Sequence, residues 1–535
     1  MKPRDPKSNR VPAPAPGGSM SAESLFPDAS ARAGGSAAAL GFEEVLWQAA
    51  DKLRASMDAG EYKHVVLALL FLKCVADDGP TQDQGGGASN PHRHEIGRAA
   101  RPELIRVPPQ ARWAAISAAA RTRGAGVAID AAFDAIARAN PSLRDVLPSG
   151  FARPDLDQAR LFELVHLLGG VDLSGSRSGG ADVLGRVYEY FLGRFALSEG
   201  RLGGQFYTPA CVVQLLVEMI QPFKGKVYDP CCGSGGMFVQ AERFVEAHKG
   251  SVDDLLVFGQ ESNPTTWRLA RMNLALRGIS ANLGAAHGDT FSHDMHRELK
   301  ADYILANPPF NMSDWGADRI ASDPRWSFGV PPPGNANFAW IQHFVHHLGP
   351  RGVAAFVLAN GAVSSQQASE ARIRRAIVEA DLVDAMVALP PQLFYTTAIP
   401  ACLWFLRRDR HRTARSGHTL FIDARRMGRL IDRRHRELDG GEIDSISRLY
   451  HSWISGRGYA DVSGFCAVAT TEQIRSHEFV LSPGRYVGTE TSVGSDGSSD
   501  AELRDILAEL RSLRSEGLAL DEELAKALAN LKVIE

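Results

Sequence analysis

From residue 226 onward the chain alternates short apolar or β-branched runs with segments of helix length, and no other feature restricts its fold as much. Runs at 226–230, 255–261, 303–309, 352–360 and 382–390 read as strands, and 236–248, 265–277, 337–348 and 371–380 read as helices. Strands that are apolar throughout are covered on both faces. The expectation is therefore an α/β fold with a doubly wound, mostly parallel sheet and helices on each side. The run 402–408 is expected to return antiparallel against 382–390 as an edge hairpin.

The preceding sequence has a different texture. Residues 1–40 are rich in Ser, Ala and Gly and read as a disordered tail. Apolar residues then recur at helical spacing over 42–75, broken at Asp58-Ala59-Gly60, and again over 111–137 and 161–168. The expected organisation is a helical domain over 41–173, the sheet domain over 182–425 and its continuation over 426–498. A further helix is expected over 443–453. A closing amphipathic helix over 499–535 carries Leu503, Ile506, Leu507 and Leu510 on one stripe and is the candidate subunit-docking element.

The longest apolar run, 65–75, contains Lys73 and falls well short of the about 20 residues that cross a bilayer, so a cytoplasmic chain is expected. Its 59 basic residues are outnumbered by 62 acidic ones, for a formal charge of −3. That balance is not that of a chain gripping nucleic acid unaided. If it meets DNA, another polypeptide is expected to help. The six cysteines include no paired CxxC elements, so neither a disulfide framework nor a zinc site is expected.

Doubly wound sheets bind ligands at the carboxyl ends of their strands, which directs attention to four loops. The first leaves a strand at Asp229-Pro230 and turns through Gly233, Ser234, Gly235 and Gly236 into a helix; glycines let backbone amides approach a bound molecule. Glu261 ends the next strand, where an acidic side chain can accept ribose hydroxyls. Asp289 follows in His287-Gly288-Asp289, as an acceptor for an adenine amino group.

The fourth loop is Asn307-Pro308-Pro309-Phe310. Two prolines stiffen it. The Asn307 amide oxygen and the Pro308 carbonyl offer two acceptors, enough for both hydrogens of a planar exocyclic amine, and Phe310 offers a face for stacking a base. An aromatic amine is a poor nucleophile because its lone pair is delocalised. Two acceptors that draw the nitrogen toward tetrahedral geometry localise that pair for attack, and positioning then governs an in-line methyl transfer.

The glycine loop followed by Asn-Pro-Pro-Phe resembles the class I S-adenosylmethionine-dependent amino-methyltransferases, and specifically the N6-adenine DNA group. The segments 46–73, 182–192, 203–213 and 260–278 extend the likeness to the modification subunit of type I restriction-modification systems. The resemblance implies S-adenosyl-L-methionine as cofactor. Gln205, Phe206, Tyr207, Thr208, Pro209 and Ala210 would close over its methionine end. Asp229, Gly233, Ser234, Gly235 and Gly236 would line it, Glu261 would hold its ribose and Asp289 would meet its adenine. Asn307, Pro308, Pro309 and Phe310 would form the catalytic loop around an adenine flipped from the duplex.

The same resemblance implies partners. They are double-stranded DNA, one specificity subunit shared by two modification subunits, and a translocating restriction endonuclease subunit in the full complex. Two other readings are a methyltransferase acting on protein glutamine, which also uses an Asn-Pro-Pro loop, and a non-catalytic assembly subunit.

Some residues invite sharper readings than they earn. Cys231 sits in the cofactor loop and reads as a small buried thiol rather than a nucleophile. His343, His346 and His347 lack an acidic or cysteine companion at ligand spacing, so no metal is expected and they read as a packed or solvated helix face. The arginine clusters around Arg407 and Arg433 read as solvated surface charge, with phosphate contact as the minor alternative.

Overall fold

The computed structural model describes residues 47, 59–77, 105–170, 190–191, 194–195, 208–251, 254–394, 400–432 and 435–488. The expected tail over 1–40, the segment 182–189, Gln205, Phe206, Tyr207 and the closing helix over 499–535 lie outside these residues.

Among the described residues, the helices with assigned bounds ahead of the sheet region are α1 (Ala59–Asp77), α2 (Trp113–Arg123), α3 (Ala125–Ala139) and α4 (Gln158–Gly169). The apolar run inside α1 is buried continuously from Val65 to Leu72, which explains its lack of a polar face. The first helix of the expected pair lies, apart from Trp47, outside the described residues; the second begins inside the expected break, at Ala59. The stretch 111–137 is two helices rather than one. Gly124, at φ 93°, turns the chain between α2 and α3, a conformation open to glycine at no steric cost. Asp157 caps α4 by accepting from the amides of Ala159 and Arg160.

The sheet region starts with α5 (Ala210–Ile220) and β1 (Gly225–Asp229), then α6 (Gly236–Ala247), β2 (Leu255–Gly259), α7 (Pro264–Leu276), β3 (Ala281–Asn282) and β4 (Ala301–Ala306). It continues with α8 (Asn337–His347), β5 (Leu348–Ala359), α9 (Ala368–Glu379), β6 (Val383–Ala388), β7 (Ala401–Arg407) and β8 (His418–Asp423). A small β9 (Arg429–Leu430) and β10 (Arg436–Glu437) ribbon, α10 (Gly440–Ser455), β11 (Cys466–Thr470) and a short helix over Thr471–Ser476 follow. The helix expected over 443–453 is the middle of α10, which starts at a capping box made by Asp439 and Glu442.

Among the described residues, nine strands form one sheet in the order β11-β8-β6-β7-β5-β4-β1-β2-β3. The pairs β1–β2, β1–β4, β2–β3, β4–β5 and β6–β8 are parallel, whereas β7 is antiparallel to both β5 and β6. This is the mostly parallel, doubly wound sheet expected, with its order reversing between β1 and β4. The 402–408 run does pair antiparallel with β6, but the expectation of an edge is wrong. The strand is inserted between β5 and β6, and its Cys402 to Leu406 are fully buried. A strand apolar at every position needs cover on both faces and both edges, which a sheet interior provides.

The first arginine cluster is only partly solvated: Arg408 is exposed, but Arg407 is half-buried and Arg410 is enclosed. Asp384 on β6 is fully enclosed, and Arg410 reaches its Oδ1 at 3.1 Å, Arg415 the same oxygen at 2.5 Å and Arg407 its Oδ2 at 3.6 Å. Tyr450 of α10 donates to Asp384 Oδ2 at 2.7 Å, and Arg410 also pairs with Asp381 at 3.2 Å. A carboxylate in a sheet interior needs such partners.

Candidate active site

Asp229, Glu261 and Asn307 come from the carboxyl ends of β1, β2 and β4, around the reversal of strand order where doubly wound sheets form a crevice. Gly233 and Gly235 adopt φ 53° and 83°, so the turn into α6 uses the left-handed region twice. A Cβ at Gly235 would press on Leu274 at 3.4 Å, whereas one at Gly233 or Gly236 would meet nothing within 4 Å. The loop thus packs on one side and presents bare backbone on the other.

Glu261 ties the loops together. Its Oε2 accepts from the Gly233 amide at 3.0 Å and its Oε1 from the Asn263 amide at 2.8 Å, while Asn273 of α7 donates to the Ser234 carbonyl at 2.8 Å. Burial raises the Glu261 carboxyl above its ordinary value, and the Asn263 and Gly233 amides oppose that rise. Asp229 is buried more deeply. Desolvation pushes its carboxyl up to about 7, against hydrogen bonds from the Cys231 amide and thiol at 3.0 and 3.4 Å and with the Glu261 charge adding to the rise.

Two adjoining cavities, of about 70 and 280 Å³, share Cys231, Gly233 and Asn307 in their walls. The smaller also takes in Thr208, Ala210, Asp229, Ser234 and Gly236, and the larger Glu261, Asp289, Pro309 and Trp340. Pro209 caps α5 beside Thr208. Asp289 is exposed at the rim, its Oδ1 accepting from the Ser292 amide and hydroxyl at 2.8 Å. Most of the residues singled out from sequence therefore share one cleft. Cys231 is a correction. It is half-buried in that cleft rather than fully enclosed, and desolvation of its thiol together with the Asp229 charge pushes that thiol well up, which leaves it a poor nucleophile.

Asn307 is 8% exposed, and its Nδ2 donates to the Thr208 hydroxyl at 2.8 Å. Its Oδ1 is buried with no hydrogen-bond partner, an acceptor available to a ligand amine. Phe310 is buried and meets Phe394 edge-on, with ring centroids 5.7 Å apart. Neither Thr208 as a support for Asn307 nor Phe394 was apparent from sequence. Both lie far along the chain from the loop they touch, and no local pattern marks them.

Further residues fix the Asp289 segment. Gln260, fully buried, donates to the carbonyls of Gly288 and His293 and accepts from the Met295 amide. Arg325 donates to the carbonyls of Thr290 and Phe291, and Thr290 donates to the Pro230 carbonyl. Asp294 supplies the acidic companion that the α8 histidines were expected to lack, so that expectation is corrected. Its Oδ2 lies 3.0 Å from His347 Nε2, whose Nδ1 lies 3.0 Å from the Leu299 carbonyl. His343 contacts the Tyr228 hydroxyl at 3.2 Å and accepts from the Arg325 guanidinium at 3.1 Å. Burial holds His343 neutral, well below its ordinary value. With every ring nitrogen of the two engaged and a guanidinium alongside, the cluster is built as a hydrogen-bonded strut rather than a cation site.

The N-6 DNA methylase family model matches residues 179–494, and the HsdM N-terminal domain model matches 42–168. The chain belongs to the N-6 DNA methylase family. It is 46% identical to the type I restriction enzyme HindI methylase subunit of Haemophilus influenzae, over 76% of this chain and 93% of that one. It is 36% identical to the MjaIX methylase subunit of Methanocaldococcus jannaschii, over 89% of this chain and 88% of that one. The crystal structure of a type I restriction-modification methyltransferase subunit from Streptococcus thermophilus matches 84% of this chain and all of its own, at a TM-score of 0.68 and 24% identity, a likeness of fold. This methylase-family chain is accordingly a class I methyltransferase in architecture, with a helical domain ahead of the sheet. Among the described residues no helix is long and apolar enough to cross a membrane.

Proposed function

We propose that this chain is the modification subunit of a type I restriction-modification system. It methylates N6 of adenine in double-stranded DNA with S-adenosyl-L-methionine, at sites chosen by a separate specificity subunit, and so protects host DNA from restriction. Two such chains per specificity subunit, joined by a restriction endonuclease subunit in the full complex, are part of the same reading. So are its domain limits: a tail to 40, helical 41–173, methyltransferase 182–425 with its continuation to 498, and a docking helix over 499–535. The observation that carries the reaction is the Asn307 amide, turned by Thr208 so that a buried, unpartnered Oδ1 borders the cavity shared with the glycine loop.

The residues present suit the cofactor. The bare backbone at Gly233 and Gly236 leaves room for a ligand against the loop, and three carboxylates border the cleft, a set of acceptors matched to a cationic nucleoside. Asp229, Gly233, Ser234, Gly235 and Gly236, with Thr208, Pro209 and Ala210, would hold it, Glu261 facing its ribose and Asp289 its base. When bound it supplies an electrophilic methyl group on a sulfonium sulfur.

The chain's own contribution is positional. Asn307 Oδ1 and the Pro308 carbonyl accept the two hydrogens of the adenine amine, which localises its lone pair and later eases loss of a proton from the methylated nitrogen. Pro309 stiffens the loop and Phe310 backs the flipped base. The test is methylated-base mapping of DNA from cells expressing the chain with its specificity subunit, beside the same pair carrying Asn307→Ala. N6-methyladenine at a split site in the first and none in the second is expected. Unmodified DNA from a folded, cofactor-binding wild-type pair would refute the reading.

A further inference from the structure

The β9–β10 ribbon stands out because it exposes two adjacent large apolar side chains, Leu430 at 55% and Ile431 at 48%. It grows from the segment after β8, and β8 runs parallel to β6 and, through the antiparallel β7, in the same sense as β4 and β5. The ribbon therefore leaves the sheet at the same edge as Asn307. Its base is fastened there. The Arg436 amide donates to the Gln392 carbonyl, two residues before the Phe394 that meets Phe310, and the Ala424 amide donates to the Ala388 carbonyl at the end of β6. Gly428, at φ 80°, and Arg436, which donates to the Met427 and Gly428 carbonyls, fix the turn into it.

From 423 to 438 the sequence holds six arginines against three acidic residues, in a chain that is acidic overall. Arg425 is held by Asp423, and Arg436 is turned inward; Arg429 is exposed on β9, opposite Glu437. A duplex that delivers a flipped base to Asn307 has to lie over this edge of the sheet. β8, from whose end the ribbon grows, is four strand positions from β4, about 19 Å at the usual spacing, which is within one helical turn of DNA of about 34 Å. A two-stranded β ribbon fits a DNA groove.

We propose that the β9–β10 ribbon is a DNA-contacting element that enters a groove of the duplex within one turn of the target adenine, Arg429 meeting a phosphate and Leu430 and Ile431 meeting sugars or base edges. The proposal rests on the DNA-methylating reading above. It goes beyond it by assigning a second contact surface, away from the catalytic loop, to a chain whose net charge gives no hint of one. Exposed apolar pairs also serve protein partners, and the experiment separates the two.

Leu430→Ala/Ile431→Ala and Arg429→Ala variants, each assembled with the specificity subunit, are titrated with a duplex carrying the recognition site over a range of salt. The expected result is about tenfold weaker DNA binding for the double variant. For Arg429→Ala, the slope of log affinity against log salt should fall by about one. Cofactor binding and assembly should stay as in the wild type. A Leu430→Cys variant carrying a photoactivatable cross-linker should attach to DNA within one turn of the target. Unchanged affinity and salt slope, or cross-links confined to the specificity subunit, would overturn the proposal. Failure of the DNA-methylating reading is separately visible, as absence of methylation by the wild-type complex that binds the same duplex.

Discussion

Asp229 gives the sharpest quantitative handle on the cleft. Its carboxyl is pushed from an ordinary 3.8 up to about 7 by burial, despite two hydrogen bonds from Cys231. The folded chain therefore holds that proton more tightly than the unfolded chain does. Stability linked to this group is fully present below about 3.8, is lost as pH rises and levels off above about 7. At about 1.4 kcal/mol per pH unit, the full loss is ~4 kcal/mol, of which ~2 kcal/mol falls between pH 5.5 and 8.

Asn at this position cannot ionise. Asp229→Asn should therefore make the ligand-free protein more stable at pH 8 by a few kcal/mol, less ~1 kcal/mol for weaker hydrogen bonds from Cys231. The advantage should shrink by ~2 kcal/mol at pH 5.5. Denaturant unfolding at the two pH values measures this directly. On the reading proposed above, in which Asp229 helps to hold S-adenosyl-L-methionine, the same variant should also gain less stabilisation from added cofactor than the wild type. A stability difference that does not vary with pH would refute the argument.

Two further outcomes follow from long-range contacts. Thr208→Val should lower the methyl-transfer rate by about 10–100-fold through loss of one buried hydrogen bond to Asn307. Thr208→Ser, which keeps the hydroxyl, should restore the rate, as single-turnover assays at saturating cofactor would show. Asp384→Ala should cost about 3–5 kcal/mol, because Arg407, Arg410 and Arg415 lose their shared carboxylate, and chemical denaturation checks it.

Much of this was legible along the chain. The alternation of apolar strands with helix-length segments forecast the doubly wound sheet, because burial on both faces is written into each strand separately. The glycine turn after β1 and the Asn-Pro-Pro-Phe loop after β4 were legible for the same reason: Gly and Pro constrain backbone within a few residues. Their neighbours Glu261 and Asp289 could be placed because strand ends in such sheets converge on one crevice.

What the sequence could not decide is which distant segments meet. Arginines at 407, 410 and 415 look like solvated charge until β7 is inserted beside β6 and brings Asp384 under them. His343 and His347 lack an acidic neighbour on α8 and acquire one from Asp294, 53 residues from His347. Thr208 and Asn307 are 99 residues apart, and only the packing of α5 against the sheet turns the hydroxyl to the amide. Local sequence sets backbone preference and the periodicity of burial. Which buried charge or polar atom finds its partner depends on strand order and chain crossing, and only the tertiary structure settles that.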